Sequence, residues 1–150
     1  MSVLWTIGYE KLRPESLVAE LQAAGVERVI DVRLRPQSRK PGMSKTRLGG
    51  TLAHGGIAYE HRRELGTPPE LRELYRSASS EKHARAAAGF REHLEAHERA
   101  AVDALAAELT DAGAPKTALL CLEEDHEVCH RSVVAEALTE RVPGLEVVHL

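Results

Sequence analysis

TALLCLEEDHEVCHRSVVAEAL, residues Thr117 to Leu138, is the stretch whose reading decides the fold. Thr117 to Cys121 is a short, mainly apolar run of strand length, as a strand buried on both faces requires. An acidic loop follows, Leu122 to Glu127. The spacing then predicts a helix over residues 127–141, because Val133, Val134, Ala137 and Leu138 fall on one face. Cys129 and His130 sit one turn before Val133 and Val134, so both extend that stripe toward the strand tip. The expected first helical turn therefore carries a thiol, an imidazole and a guanidinium, the last from Arg131. A strand, a loop and a helix start are the parts from which α/β proteins build sites.

The pattern repeats outward from this stretch. Glu81 to Leu109 is Ala-rich and helical in period, with Phe90, Leu94, Ala101, Leu105 and Leu109 on one face and Val102 beside it. Gly89 is expected to divide it into two helices, and Ala112-Gly113-Ala114-Pro115 stops it. Pro68-Pro69 opens a helical turn holding Leu71 and Leu74, and Ile57–Glu60 is a short strand. Leu34–Gly56 is polar and broken by Pro36, Pro41 and glycines, with one short helix at Leu48 and Leu52. A loop of this length in a compact domain is usually functional or disordered. Val3–Ile7 and Arg28–Val32 are strands joined by a helix that opens at Pro14, carries Leu17, Val18, Leu21 and Ala24, and stops at Gly25. Pro143-Gly144 turns the chain into a fifth strand, Leu145–Leu150. Strands alternating with helices predict an α/β fold: one three-layer sandwich over residues 1–150, with a mostly parallel, roughly five-stranded sheet and helices on both faces. At 150 residues the chain fits one domain.

Composition narrows the function classes. Aromatics make up only 3% of the chain, which argues against a base-stacking platform for single strands. Net charge is −3, yet no acidic residue lies between Asp31 and Glu60, where Arg33, Arg35, Arg39, Lys40, Lys45 and Arg47 cluster. The other basic residues share the rest of the chain with all 23 acidic ones. A cationic segment on an acidic body suggests a directed contact with an anion. Two cysteines make no disulfide framework. The start MSVLWTIGYE lacks a charged-then-apolar leader, and no apolar run approaches membrane-spanning length. The expectation is a cytoplasmic protein with reduced thiols and no membrane contact.

In an open parallel sheet, ligands bind beyond the carboxyl ends of the strands. That rule gathers Gly8 and Tyr9 after the first strand, and Asp31, Arg33, Arg35, Ser38, Arg39 and Lys40 after the second. The third strand adds His61 and Arg62. The fourth brings Cys121, Glu123, Cys129, His130 and Arg131. A thiol beside His and Arg at a helix start has a depressed pKa, which makes Cys129 the candidate nucleophile and His130 its base. The plainer alternative is a small buried cysteine filling a helix–sheet gap. Asp31 and Glu123 would orient cations or act as acid/base groups. Arg33, Arg35, Arg39, Lys40 and Arg131 would bind the anion, unless Arg131 instead pairs structurally with Asp31 or Glu123. Cys121 is expected to point into the sheet. Its separation from Cys129 lacks the paired spacing of a structural zinc site, so no metal is expected, and no cofactor fingerprint appears. The residues six after Cys121 and Cys129 are Glu127 and Ala135, so no Cys-to-Arg phosphatase loop exists.

TIGYE near the start, DVRLRPQSRKPG after the second strand, YEHRRELG after the third and LLCLEEDHEVCHR together resemble domain-of-unknown-function family 488, a group of uncharacterised bacterial proteins. The resemblance covers nearly the whole chain in motif order. It implies an α/β domain with these motifs at one site, and no assigned activity. The family-like positions are Gly8, Tyr9, Asp31, Arg33, Pro36, Ser38, Tyr59, Leu65, Gly66, Cys121, Glu123, Cys129, His130 and Arg131. One departure is LGTPPE, where a basic residue is expected soon after the glycine.

The functional expectation is a site for an anionic ligand, whether phosphate, a nucleotide or a nucleic-acid backbone, at the strand ends. Catalysis there would run through Cys129, His130 and Arg131. The alternatives are a non-enzymatic nucleic-acid-binding module built on the basic loop 33–47, and a structural or partner-binding domain.

Overall fold

Strands and helices alternate along the chain in the computed structural model, which describes residues 2–150. The strands are β1 (Val3–Gly8), β2 (Arg28–Asp31), β3 (Ala58–His61), β4 (Thr117–Cys121) and β5 (Glu146–His149). The helices are α1 (Pro14–Ala24), α2 (Lys45–His54), α3 (Pro69–Arg76), α4 (Ser80–His97), α5 (Arg99–Thr110) and α6 (Arg131–Thr139). One parallel sheet forms in the order β3-β2-β4-β1-β5. The chain is an α/β sandwich, as its periodicity predicts.

The strand order explains the layers. From β1 through β2 to β3 the chain steps one way across the sheet, and from β3 through β4 to β5 it steps back. Right-handed crossovers put helices on opposite faces when the direction reverses. Leu17, Leu21, Leu48 and Leu52 of α1 and α2 accordingly join Ile7, Val29, Ala118 and Leu120 in one core. Phe90, Leu94, Leu105, Val134 and Leu138 of α4, α5 and α6 join Leu4, Ile30, Leu119 and Cys121 in the other. Strand β4 lies between β2 and β1, and the chain leaves it toward the face opposite to theirs. Two adjacent strands that send their chains to opposite faces open a crevice at their carboxyl ends.

Two expected boundaries are corrected. The long helical segment breaks not at Gly89 but at Glu98, whose backbone (φ −123°, ψ 21°) leaves the helix. Gly89 stays helical because α3 packs there: a Cβ would come within 2.7 Å of Leu71 Cδ2. The last helix starts at Arg131, not at residue 127. His126–Val128 forms a short 3-10 turn and Cys129 is extended (φ −128°, ψ 139°). Cys129 and His130 thus precede the helix rather than occupy its first turn.

A cleft with a thiol–imidazole floor

At the predicted crevice lies a cleft of about 500 Å³, a size suited to a small-molecule ligand. Residues after β1 (Tyr9, Glu10), after β2 (Arg33, Leu34, Arg35 and Gln37 to Lys40), after β3 (Thr67, Arg72, Tyr75) and at or after the end of β4 (Cys121, Leu122, Glu123, His130) line it. Its floor follows from strand parity. Ala118 and Leu120 of β4 face α1 and α2, so Leu119 and Cys121 face α6. Cys121 therefore meets the loop that enters α6. Its Sγ lies 3.6 Å from His130 Nδ1, 3.9 Å from His130 Nε2 and 3.6 Å from Glu123 Oε2. Cys129 Sγ lies 4.0 Å from His130 Nδ1. His130 Nε2 is 2.7 Å from the Val32 carbonyl, which can only accept, so Nε2 carries a proton and Nδ1 is the nitrogen left for the sulfurs. Phe90 meets the imidazole edge-on at 5.4 Å and helps fix its plane. The cysteine that lines the cleft is Cys121; Cys129 is buried and does not line it.

The electrostatics of this cluster follow from burial and proximity. Burial opposes ionising Cys129, but hydrogen bonds from Cys121 and His130, with the charges of His130 and Arg131, hold its thiol well below the usual range. The hydrogen bond to Cys129, burial and the Cys129 and Glu123 charges push the Cys121 thiol up. Burial and the Cys129 charge raise the Glu123 carboxyl to about 7. Burial works against the His130 cation, while its bond to Cys129 and the Cys129 charge raise it. Contact between the two thiols thus pushes one up and the other down.

Arg131 is turned inward. It is fully buried, and it donates from Nε to Thr6 Oγ1 at 3.2 Å, from one terminal nitrogen to the Glu123 carbonyl and from the other to the Glu124 carbonyl at 3.0 Å. It holds the loop after β4 against β1 by its backbone, and it does not line the cleft. Gly8 serves the same junction. A Cβ there would lie 1.7 Å from the Glu123 carbonyl oxygen, so only glycine lets the loop cross β1.

Asp31 and Arg33 form a second brace, on the α1–α2 face. Arg33 grips the Asp31 carboxylate with Nε at 2.9 Å and Nη2 at 2.7 Å, and reaches Tyr9 Oη and the Met43 carbonyl with Nη1. The Arg33 backbone N–H and the Tyr59 hydroxyl also donate to Asp31. The carboxylate is completely buried and does not line the cleft, which makes it the anchor of the basic loop rather than an acid or base at the floor. Arg33 reaches the cleft wall with nearly all its donors already engaged. His61 and Arg62, expected beside the site, lie elsewhere: His61 Nε2 donates to the Arg33 carbonyl at 2.6 Å, and Arg62 pairs with Glu60 and Glu108. Strand β3 is an edge strand, and its tip reaches the cleft only through the chain that follows it.

The other cations on the cleft wall are Arg35, Arg39, Lys40 and Arg72. Arg35, Arg39 and Arg72 are exposed, while Lys40 Nζ donates to the Glu10 carbonyl at 3.0 Å. Ser38 shapes the loop by accepting from the Lys40 N–H, and its own N–H donates to Ser44 Oγ. Thr67, Arg72 and Tyr75 were not anticipated. Arg72 supplies a cation just beyond LGTPPE, where the sequence departs from the family pattern. Thr67 is 3% exposed and Tyr75 8%, and both hydroxyls lack a partner among the described residues. Burial, then the charges of Cys129, Glu123 and Cys121, push the Tyr75 phenol up, so it stays protonated. Cys121 Sγ, Cys129 Sγ and a ring nitrogen of His130 all lie within 4.8 Å of one another, a grouping that sequence spacing does not reveal.

Fold and floor together define a parallel α/β protein with a dithiol–imidazole–carboxylate cluster beneath a cationic cleft. The chain belongs to the family described as domain of unknown function DUF488, which it matches over residues 13–138. That span holds α1 through all but the last residue of α6, and every lining residue except Tyr9 and Glu10. The chain has no match among the curated proteins and none among the solved structures. No helix among the described residues is long and apolar enough to cross a membrane.

Proposed function

We propose that the cleft binds a small anionic ligand, a phosphate-bearing metabolite or nucleotide, with its charged end on Arg35, Arg39 and Arg72 and its other end over Cys121, Glu123 and His130. One observation carries this reading: two buried hydroxyls, Thr67 Oγ1 and Tyr75 Oη, belong to residues that line the same cleft as the exposed cations, and they meet no partner among the described residues. An unpaired buried polar group costs about 1–3 kcal/mol, so a ligand that satisfies both offsets a standing cost. A small ligand is favoured over a polymer because the basic segment divides. Arg35, Arg39 and Lys40 reach the cleft, whereas Lys45 and Arg47 sit on α2 outside it.

Calorimetric titration of the reduced protein with inorganic phosphate and with a nucleoside monophosphate tests the reading. Saturable binding is expected, weakened about 10-fold or more by Arg39→Ala or Arg72→Ala, since a charge-assisted hydrogen bond contributes about 1.5–3 kcal/mol. Absence of saturable binding at low salt would overturn it. Binding seen only with long oligonucleotides, steeply salt-dependent and lost on Lys45→Ala and Arg47→Ala, would replace it with the nucleic-acid module.

A further inference from the structure

The geometry points to a transition-metal site of the zinc class on the floor of the cleft, with Cys121, Cys129 and His130 Nδ1 as protein ligands and the fourth position directed at Glu123 and the cleft. This goes beyond anion binding and does not depend on it.

Four observations support the assignment. First, the donor atoms are already grouped. Tetrahedral zinc with Zn–S near 2.3 Å and Zn–N near 2.0 Å requires sulfur–sulfur edges of roughly 3.8 Å and sulfur–nitrogen edges of roughly 3.5 Å. The two sulfur–Nδ1 separations are 3.6 and 4.0 Å, and all three atoms fall within 4.8 Å of one another. Small side-chain rotations close the set. Second, the imidazole is prepared for metal. Its Nε2–H is committed to the Val32 carbonyl, which leaves Nδ1 as the coordinating nitrogen, and metal-bound histidines almost always donate their other N–H in this way. Third, the donors are two soft thiols and one imidazole, a set that suits zinc over magnesium or calcium. Fourth, the enclosure is asymmetric. Cys129 lies beneath the floor, while Cys121, His130 and Glu123 line the cleft. Three protein ligands with a fourth position facing a cleft is the arrangement of a catalytic rather than a structural zinc site. Glu123 Oε2, 3.6 Å from Cys121 Sγ, is placed to bind there or to hold a water.

The site also accounts for the braces. Arg131 and Gly8 fix the backbone at Glu123, and Asp31 and Arg33 fix the chain just beyond Val32. The first set holds the backbone that carries Glu123, and the second flanks the Val32 carbonyl that accepts from His130 Nε2.

The test uses the full chain, reduced and freed of metal, titrated with Zn²⁺ and separately with Co²⁺ under reducing conditions. One ion per chain is expected, and the Co²⁺ form should show thiolate-to-metal charge-transfer absorption with tetrahedral d–d bands. Zinc should also slow alkylation of both thiols at least 10-fold. Cys121→Ser and Cys129→Ser should each abolish the charge-transfer intensity or cut affinity by about 100-fold or more. Circular dichroism of each variant establishes that the fold is retained. Should a variant not fold, X-ray absorption of the zinc-loaded wild-type chain decides, with two sulfur neighbours expected in the first shell. Three results would overturn the site: folded, reduced wild-type protein that takes up no stoichiometric metal; a first shell without sulfur; or a Cys121–Cys129 disulfide that forms as readily in the presence of zinc as without it. Phosphate titration of the metal-free protein reports separately on the cationic wall, so failure of one reading is distinguishable from failure of the other.

Discussion

Arg131→Ala separates a brace from a ligand contact. The native guanidinium is fully buried and satisfies Thr6 Oγ1 and the carbonyls of Glu123 and Glu124. Truncation removes all three bonds and leaves a void between α6 and β1. Each hydrogen bond to a charged group contributes about 1.5–3 kcal/mol, but the two carbonyls are only partly buried and can recruit water. A net cost of about 2–4 kcal/mol follows. For a chain of this length each kcal/mol moves the melting point by about 2–4 °C, so a drop of about 5–15 °C is expected. The assay is thermal unfolding by circular dichroism, paired with phosphate titration at a temperature where the variant is folded. Phosphate affinity of that folded variant should change less than about 3-fold, because Arg131 does not line the cleft. Arg39→Ala should do the reverse, with weaker binding and an unchanged melting point. An Arg131→Ala protein with native melting and abolished phosphate binding would refute this reasoning.

Other substitutions probe the remaining parts. Gly8→Ala forces its Cβ onto the Glu123 carbonyl and should cost about 1–3 kcal/mol or displace the loop, seen as a lower melting point and altered thiol reactivity. Asp31→Asn leaves the Arg33 cation buried without its counter-charge, and a loss of about 3–5 kcal/mol is expected in urea unfolding. Tyr75→Phe and Thr67→Val remove orphaned hydroxyls and should leave stability equal or slightly higher while weakening ligand binding; a clear loss of stability would mean that the hydroxyls have partners. Glu108, bonded to Arg62 and Arg28, is depressed to about 2, below the ordinary 4.5. A lowered carboxyl stabilises the fold above its unfolded pKa, and that contribution is lost as pH falls from about 4.5 toward 2. Glu108→Gln should therefore flatten the acid limb of the stability–pH curve, and an unchanged limb would remove the group from the account.

The fold was legible because its signals are local. Strand runs and helix stops placed all five strands to within about one residue, and their alternation with helices predicted a mostly parallel sheet, which is parallel throughout. What failed were features set by packing. Gly89 reads as a breaker, yet it is a contact point for Leu71. Cys129 reads as helical, yet Arg131 captures the carbonyls of the preceding loop and delays the helix. The charge pattern found Arg35, Arg39 and Lys40 but could not show that Arg33 and Arg131 face inward, since sequence does not record which donors are already used. Strand parity within Thr117–Cys121 could have marked Cys121 as sharing the α6 face. Thr67 and Tyr75 carried no signal beyond Tyr75 being one of few aromatics, because an unpaired hydroxyl exists only in three dimensions.

The most direct test of the ligand cleft is an amide chemical-shift map of the ¹⁵N-labelled chain titrated with a nucleoside monophosphate. The account predicts saturable shifts at Thr67, Arg72, Tyr75, Arg39 and Glu123, with α2 at Lys45 and Arg47 unmoved. Shifts confined to α2, or none at all while the ligand reaches millimolar concentration, would contradict it.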